Sequence, residues 1–455
     1  MKEIFEAIFK AYDVRGTYPE QLNPDTARLI AKGFVQHLRD HYGHLRQGIA
    51  VGRDMRPSSP QVSRAFVEAA IEEGVDVINL GMVGTDMLYF AVGKLGLDGG
   101  VMITASHNPP NYNGIKFVRR DAVPVSEDSG LIQIRDYAAA GHFRPSRERG
   151  ELIRRHVYQD YAKHVRSFIN PELIRPLKVV MDGSSGMAGP IAKYVFEGLP
   201  LKVKQLCFEP DGTFPIHQAN PMEQANRKLI VETVRQTKAD LGVIWDGDAD
   251  RCFFIDEKGK FVSGYYITAL FIDTILARHP GETIVYDPRL IWANEEVVRK
   301  RGGKSVISKS GHSFIKECMR RVNAIFGGES SAHYYFRQNY YCDNGMIPVL
   351  LMLQIMSEQA KPLSRLVGAF ERAYPISGEI NSQVTNQAAK LRELKRRYRD
   401  GKHGEVDGLS VAYPDWRFNV RPSNTEPLLR LNVETRGDRK LLKEKSKELL
   451  EVIRG

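Results

Sequence analysis

The sequence predicts an α/β protein: three similar mixed α/β sandwich domains and a C-terminal α+β domain, set around a central cleft. Two observations carry this. Short apolar runs alternate with helical stretches, the pattern of largely parallel sheets covered on both faces. That alternation recurs three times and then changes order near Val367. A length of 455 residues is enough for three or four domains, each able to bury its own core. With 42% hydrophobic, 26% charged and 9% aromatic content, the composition is that of a globular chain, which excludes disordered and fibrous classes.

The first copy of the pattern has the strand GIAVGRD (48–54), a helix over 62–73, the strand VDVINLG (75–81) and the strand GGVMITAS (99–106). The second has LKVVMDGSSG (177–186), a helix over 191–198, LKVKQL (201–206) and LGVIWDGDAD (241–250). The third has ETIVYDPR (282–289), a helix over 295–301, SVISKSG (305–311), a helix over 314–322 and AIFGGESS (324–331). The remainder reads strand, helix, strand, strand, helix: ISGEINSQV, a charged helix, GLSVAYPDWRFNVRPS, LLRLNVET, and DRKLLKEKSKELLEVIR. Breaks are expected in 141–150, near 256–259 and in 367–375, giving domains 1–150, 151–256, 257–367 and 368–455.

No apolar run reaches the roughly 20 residues needed to cross a bilayer, and Glu3 and Glu6 interrupt the apolar start, unlike a signal peptide. Cys207, Cys252, Cys318 and Cys342 show no C-x-x-C spacing; reduced thiols and a cytoplasmic location are expected. The net charge of +10 suits nucleic acid or phosphorylated metabolites equally. Its densest stretch, 390–404, places Leu391, Leu394 and Tyr398 at helical spacing. It reads as the solvated face of a surface helix, and no finger or aromatic-basic RNA motif accompanies it.

Ligands of such sheets collect at the carboxyl ends of strands, where the polar motifs fall. Asp246, Asp248 and Asp250 alternate with the small residues Gly247 and Ala249. Three adjacent carboxylates between apolar strands call for a cation, and hard oxygen donors suit Mg²⁺. Arg251 beside them either faces a phosphate or balances charge. Thr104-Ala105-Ser106-His107-Asn108-Pro109-Pro110 puts a hydroxyl in a turn with no G-x-S-x-G or S-x-x-K context. Lys116 lies ten residues further on, either a partner for acid–base or phosphate chemistry or an ordinary lysine. Glu329, Ser331 and His333 follow two glycines and suit sugar hydroxyls. Arg421, Ser423, Asn424 and Thr425 combine a guanidinium fork, two hydroxyls and an amide, as an anion nest does. Gly183 to Gly186 reads as a strand–helix turn without the Lys-Ser/Thr of a P-loop, and His312 alone reads as structural.

Taken together and in order, from Tyr12-Asp13-Val14-Arg15-Gly16 through the serine turn, the Asp loop and the sugar loop to RPSNTEP, these motifs resemble the α-D-phosphohexomutase family over the whole chain. The resemblance implies a phosphorylated Ser106 sharing Mg²⁺ with Asp246, Asp248 and Asp250, and a hexose 1,6-bisphosphate as intermediate and activator. It implies Lys116 and His312 as acid–base groups, and Arg15 and Arg251 as stabilisers of the transferred phosphoryl. Tyr12, Arg289, Glu329, Ser331 and His333 would contact the sugar, and Arg421, Ser423, Asn424 and Thr425 the unreacting phosphate. The chain departs from many relatives at Asp86 (often Pro), Ala332 (often Gly) and Arg289 (often Lys). The activity implied is interconversion of hexose 6- and 1-phosphates of mannose or glucose, with no nucleic-acid or membrane partner. An amino-sugar mutase, or a sugar-phosphate-binding phosphoenzyme that is not a mutase, is the alternative.

Overall fold

Apolar and β-branched runs form the strands of sheets in which the polar motifs sit on hairpin turns. The computed structural model describes residues 2–455 except 46, 142, 144, 145, 147 and 424–427. Two compact units result: Met1–Phe261 with Gln338–Ala360, and Val262–Arg337 with Lys361–Gly455.

In the first unit, one sheet has the strand order Val14–Thr17, Tyr112–Arg119, Gly99–Ile103, Ile49–Arg53, Val77–Met82, Leu152–Arg154. Ile49–Arg53 runs parallel to Gly99–Ile103 and Val77–Met82, while Tyr112–Arg119 turns back antiparallel to Gly99–Ile103. The covering helix Pro24–Tyr42 starts cleanly: Pro24 fixes the first helical φ, and Asn23 Oδ1 accepts from the amides of Asp25 and Thr26 at 3.1 Å. Its apolar face (Ile30, Phe34, Leu38) meets Val62 and Phe66 of the helix Ser59–Glu72 and Val51, Val101 and Phe117 of the sheet. Burying each such side chain fully contributes about 1.5–3 kcal/mol.

The second sheet repeats the plan. Leu177–Asp182 is parallel to Leu201–Leu206 and Leu241–Trp245, and Cys252–Ile255 returns antiparallel along Leu241–Trp245. The helix Lys228–Thr237, not evident in the alternation of the sequence, covers it. Asp256 to Gly259 closes a tight turn, with Gly259 N donating to Asp256 O at 2.8 Å. The helix Ile347–Gln359 is buried nearly all round and belongs to this unit.

In the second unit, Thr283–Tyr286 is parallel to Lys304–Ile307 and Phe326–Gly328, and Tyr334–Phe336 returns antiparallel to Phe326–Gly328. The helix Leu363–Ala373 runs through Val367. The last sheet is wholly antiparallel, in the order Ile380–Gln383, Leu428–Thr435, Trp416–Pro422, Leu409–Ala412, Lys402–Gly404. This corrects the expected strand, helix, strand, strand, helix order. Pro414 and Asp415 break 408–423 into two strands, with Tyr413 N donating to Trp416 O at 2.8 Å, and Lys402–Gly404 adds an edge strand. The basic helix Gln387–Arg397 is amphipathic as expected, with Leu394 buried and Lys395, Arg396 and Arg397 exposed.

In each of the three similar sheets the polar motif is the turn of the hairpin leaving the same central strand: 104–111, 246–251 and 329–333. Among the described residues no helix is long and apolar enough to cross a membrane.

Candidate functional site

Ser106 stands on left-handed backbone, φ 48°, at the start of its turn. Its amide donates to Thr104 Oγ1 at 2.9 Å, and its hydroxyl donates to Asp246 Oδ2 at 2.8 Å. The turn is stapled from below by Arg56, which is fully buried. Arg56 donates to the carbonyls of Ser106 (2.9 Å), Asn108 (2.7 Å), Pro109 (2.7 Å) and Tyr112 (3.0 Å), and its Nε pairs with Asp54 at 3.2 Å. Gly247 allows the Asp loop to lie against this turn, since a Cβ there would come within 2.4 Å of Ser106 O.

Asp246, Asp248 and Asp250 present carboxylate oxygens that all lie within 4.8 Å of one another, in full burial. Lys116 Nζ sits between Asp248 Oδ2 and Asp250 Oδ2, 2.7 Å from each. Arg251 pairs with Asp246 Oδ2 at 2.8 Å and donates from Nη2 to His107 Nδ1 at 2.6 Å. Arg15 donates to Asp13 at 2.8 Å, and to Ala105 O and Asn108 Oδ1 at 2.5 Å each. Thr85 opens the helix Thr85–Leu95 and fixes Asp248 twice, Oγ1 to Oδ2 at 2.5 Å and N to O at 3.0 Å. Its neighbour Asp86 accepts from Tyr161 OH, which in turn accepts from Asn344 Nδ2 at 2.9 Å. The departure at Asp86 is therefore a buried hydrogen-bonded helix start.

The electrostatics follow from this packing. Burial, then the charges of Asp250 and Asp248, raise the Asp246 carboxyl above the usual range against the pull of Arg251. Burial also opposes ionisation of Asp248, but Lys116, Thr85 and Arg15 outweigh it and hold Asp248 low. Burial and the cations Arg251 and Arg15 push His107 well below the usual imidazole value, so it is neutral. Lys116 is raised: its two carboxylates outweigh burial, and the proton is firmly held. Asp248 Oδ1 is buried and accepts no hydrogen bond among the described residues. An orphaned carboxylate oxygen within a three-carboxylate cluster fits a hard divalent cation.

A raised folded-state pKa stabilises the fold at low pH, and that contribution is lost as pH rises through the raised value. In EDTA, the melting temperature is therefore expected to fall as pH rises from the ordinary carboxylate range through that of Asp246. The stability slope is at most about 1.4 kcal/mol per pH unit. A divalent cation held by the cluster would replace the proton, so added Mg²⁺ is expected to flatten the slope. Thermal melts of Asp246→Asn check this: if the variant in EDTA keeps the wild-type slope, Asp246 is not its source.

Of the other predicted residues, Tyr12 lies in the first unit and Arg289, His312, Glu329, Ser331, His333, Arg421 and Ser423 in the second. Glu329 is buried and accepts from Gly311 N (2.9 Å), Tyr335 OH (2.5 Å) and Arg289 Nη2 (3.4 Å), with His333 Nδ1 at 3.3 Å. Burial pushes this carboxyl up, but His333, Arg289 and Tyr335 outweigh it and hold it at about 2. Ser331 Oγ lies 3.2 Å from His333 Nδ1 and 3.3 Å from Arg289 Nη2. Arg289 is itself held by Asp287 at 2.8 and 2.9 Å. Glu379 gathers Arg289 (3.7 Å), Arg421 (3.6 Å) and Arg430 (3.3 Å), and Arg430 donates to Ser423 Oγ at 3.3 Å. Arg421 Nε is buried without a hydrogen-bond partner among the described residues. His312 begins the helix His312–Val322, buried, its ring 6.3 Å from that of His333. Tyr12 is half-buried beside Asp13. Asn424 and Thr425 lie outside the described residues.

The structure thus gathers Ser106, Lys116, Arg15, Arg251 and the three aspartates in one unit, and Glu329, Ser331, His333, Arg289, His312, Arg421 and Ser423 in the other. Sequence reasoning passed over His107 and Asn108, although they follow Ser106 directly. It also passed over Thr85, Arg56 and Glu379, whose partners are distant in the chain.

Four models described as phosphoglucomutase/phosphomannomutase match the chain: α/β/α domain I over 6–144, domain II over 157–259, domain III over 263–374 and the C-terminal domain over 379–452. A protein named phosphohexose mutases from Xanthomonas campestris pv. campestris (strain B100) is 43% identical, covering 98% of this chain and 99% of its own. A phosphomannomutase of Salmonella montevideo is 42% identical over 98% of each chain. A solved structure of a phosphoglucomutase/phosphomannomutase family protein from Burkholderia thailandensis superposes with TM-score 0.87 at 30% identity, covering 98% of each chain.

Proposed function

Because the chain belongs to the phosphoglucomutase/phosphomannomutase family and is a phosphohexomutase, we propose that it interconverts the 6- and 1-phosphates of mannose and glucose through a phosphoserine at Ser106 and a hexose 1,6-bisphosphate. The observation that carries this reading is the setting of Ser106. A serine hydroxyl on strained left-handed backbone lies 2.8 Å from one of three clustered carboxylates, with Lys116, Arg251 and Arg15 around the cluster. Phosphoryl transfer needs positioning and charge neutralisation more than covalent assistance, and this set supplies both.

Asp246, Asp248 and Asp250, with the Ser106 phosphate, would hold Mg²⁺. When bound, the ion supplies Lewis-acid neutralisation of phosphoryl charge. In the forward transfer a sugar hydroxyl oxygen bonds to phosphorus, the P–Oγ bond of Ser106 breaks, the sugar hydroxyl gives up its proton and Oγ ends protonated. The return transfer reverses these steps with the phosphate at the other end of the sugar. Lys116 holds its proton firmly, so of its acid–base and charge roles the setting suits charge compensation best, and proton donation would need its two carboxylates drawn off by the metal. His312 is the complementary candidate for taking the proton. Arg251 and Arg15 hold the turn and offset phosphate charge. Glu329, Ser331 and His333 suit sugar hydroxyls, with Glu329 held ionised as an acceptor. Arg289 and Tyr12 are the further sugar contacts of this reading. Arg421, with an N–H left over, and Ser423 suit the unreacting phosphate, together with Asn424 and Thr425. A trace of hexose 1,6-bisphosphate would restore phosphate to Ser106 and act as activator.

The test is phosphorus NMR of the protein with Mg²⁺ and trace glucose 1,6-bisphosphate, given mannose, glucose or glucosamine 1-phosphate in separate tubes. Conversion to the 6-phosphate is expected with mannose and glucose. Fastest conversion of glucosamine 1-phosphate would replace this reading with the amino-sugar one, and no conversion in any tube would overturn it.

A further inference from the structure

At the carboxyl ends of Leu177–Asp182 and Leu201–Leu206, three side chains of different chemistry converge. His217 Nε2 lies 3.1 Å from Asp182 Oδ2 and 3.8 Å from Cys207 Sγ, and these donor atoms all fall within 4.8 Å of one another. Asp182 is buried, while Cys207 and His217 are partly open to solvent. The phosphoryl transfer proposed above does not use them.

The arrangement is wrong for a proton relay. A Cys–His–Asp relay needs the thiol and the carboxylate on opposite ring nitrogens, whereas here both face Nε2. The other nitrogen, Nδ1, meets Gln218 O at 3.0 Å. A backbone carbonyl on one nitrogen, with the other aimed at a thiol and a carboxylate, is the arrangement of a metal-binding imidazole. Tetrahedral zinc bonds of about 2.0–2.3 Å place their ligand atoms about 3.3–3.7 Å apart, a range bracketed by the two separations from His217 Nε2, 3.1 and 3.8 Å. Asp182 is itself oriented, its Oδ1 accepting from Ser184 N at 2.9 Å. Thiolate, imidazole and a single carboxylate oxygen form a softer set than the three-carboxylate loop, and one that favours zinc over magnesium.

We propose that Asp182, Cys207 and His217 form a second metal site, distinct from the aspartate loop, that takes Zn²⁺ with three protein ligands and one position left to solvent. Binding forms Zn–S, Zn–N and Zn–O bonds and releases the thiol proton of Cys207 and the proton on His217 Nε2 to solvent; no redox change is involved. The ion would pin the segment 207–219 to the strand ends. That segment matters to the serine turn. A Cβ on Gly212 would lie 2.5 Å from Arg56 Cα, the Phe214 ring is 5.4 Å from Arg56 Cζ, and Ala219 lies against Gly247.

The test uses the full-length protein in buffer containing Mg²⁺, titrated with Co²⁺ as a spectroscopic stand-in for Zn²⁺. One equivalent is expected to give a thiolate-to-cobalt charge-transfer band that Zn²⁺ abolishes and excess Mg²⁺ does not. The band should vanish in Cys207→Ser and in His217→Ala and persist in Asp248→Asn. Near-ultraviolet circular dichroism establishes that each variant is folded, and either folded histidine or cysteine variant suffices. A wild-type protein without the band, a band surviving in folded Cys207→Ser, or a band lost in Asp248→Asn overturns the proposal.

Discussion

Replacing Ser106 with alanine is expected to lower mutase turnover by about a thousandfold or more, the order seen when an enzyme's nucleophile is removed. The loss should be accompanied by the absence of phosphate on the protein. No other hydroxyl has the same setting among the described residues. Thr104 accepts the Ser106 amide, and Ser184, also on left-handed backbone, donates to Trp245 O at 2.6 Å. The substitution removes one hydrogen bond to Asp246 and leaves the Arg56 staple intact, because that staple uses only backbone carbonyls of the turn. Stability should therefore change little, and lost turnover can be read as lost chemistry. Mass spectrometry after incubation with glucose 1,6-bisphosphate should find a single phosphate on the wild type and none on the variant. A variant that turns over at near the wild-type rate, or that is phosphorylated to the same extent, would remove Ser106 from the mechanism.

How far the sequence displayed this arrangement depends on the distance over which each residue acts. The aspartate loop was legible because its logic is local: three carboxylates at alternate positions between two apolar strands leave few alternatives to a cation. The repeated hairpin could be anticipated only as strand-end motifs, since the antiparallel return of Tyr112–Arg119 depends on pairing such as Met102 with Lys116. That pairing carries Lys116 to two aspartates more than 130 positions away. Arg56 and Thr85 give no local sign. One looks like any arginine after a strand, and the other becomes informative only when its hydroxyl is found on Asp248. Glu379 falls in a short weak strand signal, yet three arginines converge on it. In the last domain the Pro414-Asp415 pair was a turn signal in plain view. The aromatic and β-branched residues around it masked the break between the two strands.

Lys116→Met should have the second large effect, and its signature is thermodynamic as well as kinetic. The ammonium is 5% exposed and lies 2.7 Å from each of two carboxylates that are themselves inaccessible. Removing one partner of a buried ionic cluster leaves unpaired charge behind, which costs about 3–5 kcal/mol. Arg251 cannot make up the loss, since its close contact is with Asp246 and it stands 3.9 Å from Asp250. In EDTA, the variant should melt well below the wild type. Mg²⁺ then acts differently on the two proteins. In the wild type the lysine already neutralises Asp248 and Asp250, two of the carboxylates that would hold the ion; in the variant the ion would meet them without that ammonium. The rise in melting temperature on adding Mg²⁺ should accordingly be larger in Lys116→Met than in the wild type, while mutase activity stays low at saturating Mg²⁺. Lys116→Arg separates charge from shape: it keeps the cation but spreads it over a planar fork, so it should recover part of the stability in EDTA and little of the turnover. Equal Mg²⁺-induced shifts in wild type and Lys116→Met would mean that the lysine and the metal do not share the aspartates. The assignment of Asp248 and Asp250 as metal ligands would then be wrong, whatever the activity of the variant.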